Sequence, residues 1–376
     1  MSDSYDDDGD DDFDLRPAHD LLKQAEKEVV ETYGVTNLER LGEGAYGYVY
    51  KGQYEGMDVV VKISTFQNTK SILKQAPKIR KKLLQYLHQK NKHKPNVANR
   101  RLENEKQFFT EDHVFHSNTL PDIIYHIMDY LTGSDLQVYL ENSNTKLSFV
   151  DFMKIFCSLL QAMQFFHESG LIFNDLKLEN VLVDPKYKRV VLIDYIDSCT
   201  GCTQLYCKDT KHIVKTFTDR HTNIPSIAED IWRIALTILD AIHLYTTRDM
   251  EEMPANNINS YVRPDKDYPT LKIESIIKKE INRFQKTFPT DINNGLKHSF
   301  YKMLGRMLHA IPAQRPLIKD ILEKEPFNVC NQKDYTMHRI LNIREKSKNA
   351  VRRLSKKIEK IQNKNCKGKT KKRKQK

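Results

Sequence analysis

The run Gly42-Glu43-Gly44-Ala45-Tyr46-Gly47-Tyr48-Val49 limits the possible folds more than any other stretch, because it has the spacing G-x-G-x-x-G-x-V. The same glycine spacing opens a dinucleotide-binding unit, where a helix follows at once so that its N-terminus meets pyrophosphate. No helical pattern follows here. The glycines lead into Tyr48-Val49-Tyr50 and then the β-branched Val59-Val60-Val61-Lys62-Ile63. This predicts strands over 35–42 and 47–55 around a glycine turn, with a third over 59–63. Small residues let such a turn lie close over phosphates, and a lysine one strand later offers them a point charge.

A second constellation stands far downstream. Phe173-Asn174-Asp175-Leu176-Lys177-Leu178-Glu179-Asn180 is followed, after the strand-like Val190–Ile193, by Asp194-Tyr195-Ile196. Phosphoryl transfer asks for positioned charge more than for covalent chemistry. One carboxylate orients a hydroxyl and accepts its proton, while an amide and a second carboxylate hold a divalent cation. An Asp-x-Lys-x-x-Asn turn and an Asp at a strand end provide these groups.

Together these motifs resemble the eukaryotic-type serine/threonine protein kinase family over about residues 36–328, in the divergent form encoded by large DNA viruses. The resemblance implies an α+β, bilobal protein-kinase fold, with a β-rich N-lobe over 36–130 and a helical C-lobe over 131–328. It implies ATP and Mg²⁺ as cofactors and protein hydroxyls as acceptors. Position by position, Leu41, Gly42, Gly44 and Gly47 would cover the nucleotide, Val49 would pack on adenine, and Lys62 would bind the α- and β-phosphates. Glu105 would pair with Lys62, since Phe108 and Phe109 at i+3 and i+4 place it on an inward face. Met128 would be the gatekeeper, Asp129 and Leu131 would offer backbone hydrogen bonds, and Asp135 would lie near the ribose. Asp175 would be the catalytic base and Lys177 would steady the γ-phosphate; Asn180 and Asp194 would ligate Mg²⁺. Lys177, two residues after the base, points to serine/threonine acceptors. Asp230-Ile231-Trp232 resembles the start of the buried helix that organises the second lobe, and Pro312–Pro316 the family's late Arg-Pro element.

Departures from the pattern are as informative. Phe173-Asn174 replaces His-Arg, so no arginine is present to pair with a phosphorylated activation loop. Ile196 replaces a glycine, which removes freedom at positive φ there. No Ala-Pro-Glu run is visible; Thr218-Asp219-Arg220-His221 stands in its region, with Asp219 a candidate for the acid that pairs with Arg315 and the assignment left open. The altered glycine and the missing Ala-Pro-Glu favour the alternative of a pseudokinase scaffold, whereas the retention of Lys62, Asp175, Asn180 and Asp194 favours an enzyme.

Composition bounds the rest. The chain has 376 residues with 61 Lys/Arg against 50 Asp/Glu, and the charge is uneven. Residues 1–14 hold eight aspartates and no base, whereas residues 344–376 hold sixteen bases and two acids. Residues 1–14 read as a disordered acidic head, 15–35 as a helix and linker, and 329–376 as a basic tail. In that tail Val351, Leu354, Ile358 and Ile361 suggest a helix, with disorder expected after 364. Residues 66–102 carry eleven bases and no acid. That stretch is read as a solvated helical insert with Ile79, Leu83, Leu84 and Leu87 buried, in preference to a polyanion site. The insert and tail leave open an anionic partner, and the tail nuclear import or plain solubility. Nucleic acid as the main partner is disfavoured, because no aromatics are interleaved with the bases. No apolar run approaches the ~20 residues of a membrane helix, and the aspartate-rich start is unlike a secretory signal. An intracellular, cytoplasmic or nuclear location with reduced thiols is therefore expected. Cys199, Cys202, Cys207 and His212 have metal-like spacing, and zinc there is weighed against ordinary free thiols.

Overall fold

A computed structural model describes residues 17–44, 47–65, 70–92, 108–110, 112–142, 144–186, 188–195, 226–248, 270–331 and 341–373. The chain divides into two compact units, one of Met1–Ala76, Glu111–Tyr130 and Asn342–Lys376, the other of Pro77–Thr110 and Leu131–Leu341. One boundary between the units falls between Tyr130 and Leu131. Residues 77–110, expected in the first lobe, group with the second unit instead.

The first unit is built on a five-stranded antiparallel sheet in the order β1-β2-β3-β5-β4. Its strands are β1 Thr36–Gly44, β2 Gly47–Tyr54, β3 Met57–Thr65, β4 Asp112–His116 and β5 Ile123–Asp129. The period of two decides the faces. Val59, Val61 and Ile63 of β3 are fully buried on one side, and Lys62 lies on the other. The buried side packs against helix α1 (His19–Glu28), a π-helical turn (Val29–Tyr33) and helix α9 (Leu341–Arg373). Leu22, Ala25, Val29 and Tyr33 join Ala350, Val351, Leu354 and Ile358 in a single apolar cluster with the strands. The tail helix is thus a core element. It runs on to Arg373, beyond the last apolar position of its 3-4-3 pattern.

Polar contacts fix these helices in place. The buried Glu28 carboxylate accepts from the Tyr33 hydroxyl at 3.1 Å, the Tyr125 hydroxyl at 2.9 Å, the Asn118 amide at 3.1 Å and the Ser117 hydroxyl. Burial, and then the Glu28 charge, push both phenols well above their ordinary range, so they remain donors. Ser347 of α9 donates to the Asp58 carbonyl at 2.6 Å and accepts from the Tyr130 amide at 3.1 Å. Lys357 reaches the Tyr33 carbonyl at 2.9 Å.

In the second unit a small sheet of β6 (Ser134–Asp135), β7 (Val181–Asp184) and β8 (Arg189–Leu192) accompanies the helices. These are α3 (Leu136–Glu141), α4 (Phe149–Glu168), α5 (Ile227–Thr247), α6 (Thr270–Thr287), α7 (Asn294–Met307) and α8 (Ile318–Leu322). Helix α4 starts with a capping box between Ser148 and Asp151, which satisfies donors at the helix start that have no partner in the helix. By length and composition α4 is the one described helix able to cross a membrane, a stretch judged too polar from sequence. Yet Phe152, Phe156, Leu159, Leu160, Met163 and Phe166 are the centre of this unit's core, and Ser158 accepts a hydrogen bond from the Val190 amide at 3.0 Å.

Helix α2 (Lys70–Lys92) is the basic insert. Ile79, Leu83 and Leu87 are buried in the second unit, and Tyr86 sets its ring edge-on to Phe165 at 5.5 Å. Those contacts draw 77–92 into that unit. Leu84, expected in the stripe, is exposed; at 100° per residue it lies off the line through 79, 83 and 87.

The expectation of six reduced cysteines fails for two. Cys157 of α4 and Cys330 form a disulfide across 173 residues of sequence, with Cα atoms 5.2 Å apart. Such a separation leaves no spacing signal; only packing of α4 against the turn at 327–331 brings the thiols together. Cys199, Cys202, Cys207 and His212 lie outside the described residues, as do Glu105, Ile196 and Asp219.

Candidate active site

Each unit holds its own group of the residues singled out from the sequence. In the first, antiparallel pairing sets Val49 opposite Lys62 and Lys62 opposite His126, with Met128 paired to Val60 on the same face. Directly opposed side chains lie about 4.5–5.5 Å apart at Cβ, so Val49, Lys62 and His126 form one cross-strand row, and Met128 lies on the same face two residues further along β5. His126 was missed in the sequence, because a histidine within an apolar strand gives no sign of its cross-strand neighbour. Gly44 pairs with Gly47 at the head of the β1–β2 hairpin. Gly47 is required by the fold: its φ is 153°, and a Cβ there would stand 2.1 Å from the Ile63 carbonyl oxygen. Gly42 is different, since a Cβ would meet nothing within 4 Å. Leu41 beside it is exposed, and Asp129 is buried at the end of β5.

In the second unit the β7–β8 hairpin assembles the other group. Val181 pairs with Leu192, and the Ile193 amide donates to the Asn180 carbonyl at 3.0 Å. Asn180 therefore stands just before the hairpin and Asp194 just after it, fourteen residues apart in sequence yet at the same end. Asn180 donates its amide nitrogen to the Asp175 carbonyl at 2.7 Å and to Asp175 Oδ2 at 2.9 Å. Lys177 Nζ lies 3.6 Å from the same Oδ2. Asp175, Lys177 and Asn180 are thus brought together as the motif required.

What holds this loop was not visible in its spacing. Asp230, wholly buried in the first turn of α5, accepts from the Phe173 amide at 2.8 Å and the Asn174 amide at 3.0 Å. Its Oδ2 is also 2.9 Å from His167 Nε2 of α4. Asn174 has φ 70°, a left-handed conformation that asparagine tolerates better than most side chains. Asp194 has φ 52°, again a residue suited to that region. Tyr195 is buried, meets Phe109 and Phe166 edge-on, and donates its hydroxyl to the Thr110 carbonyl at 2.9 Å.

The remaining calls sit as follows. Asp135 caps α3, Oδ1 accepting from the Val138 amide at 2.9 Å. Leu131 is half-buried at the start of the second unit. Arg315, expected to meet an acid, donates to the His309 and Ala228 carbonyls, each at 2.9 Å, and lies 4.6 Å over the Trp232 ring.

Asp230→Ala strands two buried backbone donors, at about 1–3 kcal/mol each. The expected result is a loss of about 2–5 kcal/mol in urea unfolding and faster amide exchange confined to 171–176. Wild-type exchange there would show that Asp230 does not hold the loop.

The family model "Protein kinase domain" matches residues 35–327. "Probable serine/threonine-protein kinase kinX" of Dictyostelium discoideum is 29% identical over 154 residues, 40% of this chain and 12% of that protein. A second probable serine/threonine-protein kinase of that organism is 23% identical over 324 residues, 84% of this chain and 16% of its own length. "Protein kinase C-like 1" of Saccharomyces cerevisiae is 33% identical over 72 residues, 19% of this chain and 6% of the yeast protein. The chain thus spans only a small part of each of these relatives. With the match to the family model covering well over half its length, the chain belongs to the protein kinase family.

Proposed function

We propose that the chain is an active serine/threonine protein kinase that transfers the γ-phosphoryl group of ATP to protein hydroxyls with Mg²⁺. The observation that carries this reading is the Asp175–Lys177–Asn180 cluster on a loop fastened to Asp230. Asp175 is held by the Asn180 amide so that its carboxylate can orient an acceptor hydroxyl and take its proton. Lys177, already 3.6 Å from that carboxylate, is placed to steady a γ-phosphate as the two oxygens approach.

The donor set suits the cofactor. Mg²⁺ prefers oxygen ligands and keeps several waters, so one or two carboxylates and substrate phosphates suffice. Asn180 commits its amide nitrogen to Asp175, which leaves its oxygen as an acceptor, and Asp194 supplies the carboxylate. When bound, the ion would neutralise charge on the transferring phosphoryl group. On the first unit, Lys62 and Val49 share a face suited to phosphate and adenine, and the open space at Gly42 leaves its backbone approachable. The acceptors are proteins; serine and threonine are inferred from Lys177. Asn174 carries no charge for a loop phosphate, so activity is expected without one.

Purified chain with labelled ATP, Mg²⁺ and generic protein acceptors tests this. Labelled phosphoserine and phosphothreonine are expected. Phosphotyrosine alone would sink the acceptor assignment. Nucleotide binding without any transfer would favour the scaffold reading, which Ile196 and the absent Ala-Pro-Glu run support.

A further inference from the structure

Helix α9 presents a second face that is exposed. Its apolar side is spent in the first unit's core through Ala350, Val351, Leu354 and Ile358. About 120° around the helix, Arg353, Lys356, Lys360 and Lys364 are exposed and spaced 3-4-4, a single ridge on a 3.6-residue helix. The ridge from 353 to 364 is about 17 Å long at 1.5 Å per residue. Arg353 pairs with Glu55 at 2.5 Å; Lys356, Lys360 and Lys364 have no acidic partner among the described residues.

We propose that this ridge is the docking surface for the chain's own acidic head, residues 3–14. Three observations select that occupant. The first is charge: eight aspartates and no base lie within 1–14, against four exposed bases in register on the ridge. The second is tethering. The described chain begins at residue 17 and enters α1, whose Leu22, Ala25 and Val29 lie in the same apolar cluster as α9. The third is reach. Fourteen extended residues span about 46 Å, and a unit of about 130 residues has a radius of gyration of only ~14 Å, so the head reaches α9 from any point on the unit's surface. Tethering raises the head's local concentration to the millimolar range, which compensates for the weakness of each exposed ion pair. Docking of this kind is screened by salt. An external polyanion would have to displace the head to use the ridge. This inference does not depend on catalytic activity.

Zero-length carbodiimide cross-linking of the full chain at low ionic strength, read by mass spectrometry of the monomer band, tests the proposal. Joined peptides linking 3–14 to Lys356, Lys360 or Lys364 are expected, with yield independent of protein concentration and at least fivefold lower in 0.5 M NaCl, where the Debye length is below about 5 Å. The variant Lys356→Glu/Lys360→Glu/Lys364→Glu alters only exposed positions and should melt like the wild type while a gel-shifted, more open monomer appears. Should it fail to fold, the wild-type salt series alone decides. No head-to-α9 linkage at low salt, linkage only between molecules, or linkage mainly to exposed Lys78 and Lys81 of α2 would overturn the proposal.

Discussion

Removing residues 341–376 is expected to unfold the first unit, although every one of them lies outside the residues matched by the kinase family model. Ala350, Val351, Leu354 and Ile358 are each fully buried against the sheet and α1. Burying a valine, leucine or isoleucine side chain is worth about 1.5–3 kcal/mol, so the lost helix removes roughly 5–8 kcal/mol. Whole-domain stabilities are only about 5–15 kcal/mol. The cut also leaves the Tyr130 amide and the Asp58 carbonyl without Ser347, and bares one face of β3 and β5. Circular dichroism melts and amide exchange over 36–65 and 112–129 measure the effect, with protection of those strands expected to collapse. Leu354→Ala gives a graded version, at about 2–5 kcal/mol for a fully buried leucine. A truncated chain that melts with wild-type temperature and cooperativity would show that α9 is not a core element.

Asp175→Asn is expected to lower phosphoryl transfer by two orders of magnitude or more, the usual worth of a positioned general base. The replacement is nearly isosteric, so the loop should stay fastened to Asp230 through the backbone amides of Phe173 and Asn174. What changes is charge: the 3.6 Å ion pair with Lys177 is lost, and an amide cannot accept the acceptor hydroxyl's proton. Nucleotide affinity, followed by a fluorescent ATP analogue, should change less than threefold, which separates a chemical effect from an unfolded loop. Equal labelling by variant and wild type would defeat the assignment of Asp175.

Much of the second-unit site could be read directly, and the reason is local. Asp175, Lys177 and Asn180 lie within six residues, so a single turn suffices to join them. The β-branched runs around 181–183 and 189–193 then announce the hairpin that carries Asp194 to the same end. The glycine run and Lys62 were equally legible, because a hairpin and one further strand fix their pairing by register. Asp230 was recognised only as part of a buried helix; its hold on Phe173 and Asn174 spans 56–57 residues. His126 beside Lys62, and the Tyr195 hydroxyl on the Thr110 carbonyl, were invisible for the same cause.

By itself, then, the order of residues determined strands β1, β2, β3, β7 and β8, the glycine turn and the Asp-x-Lys-x-x-Asn loop, since each is encoded by neighbours a few positions apart. It also marked α9 as amphipathic, through Val351, Leu354 and Ile358. Tertiary structure alone decided what that apolar stripe covers, which unit claims α2, and that Cys157 meets Cys330. Burial between distant segments depends on the shape of the whole core, and a side chain's spacing along the chain records only its own face.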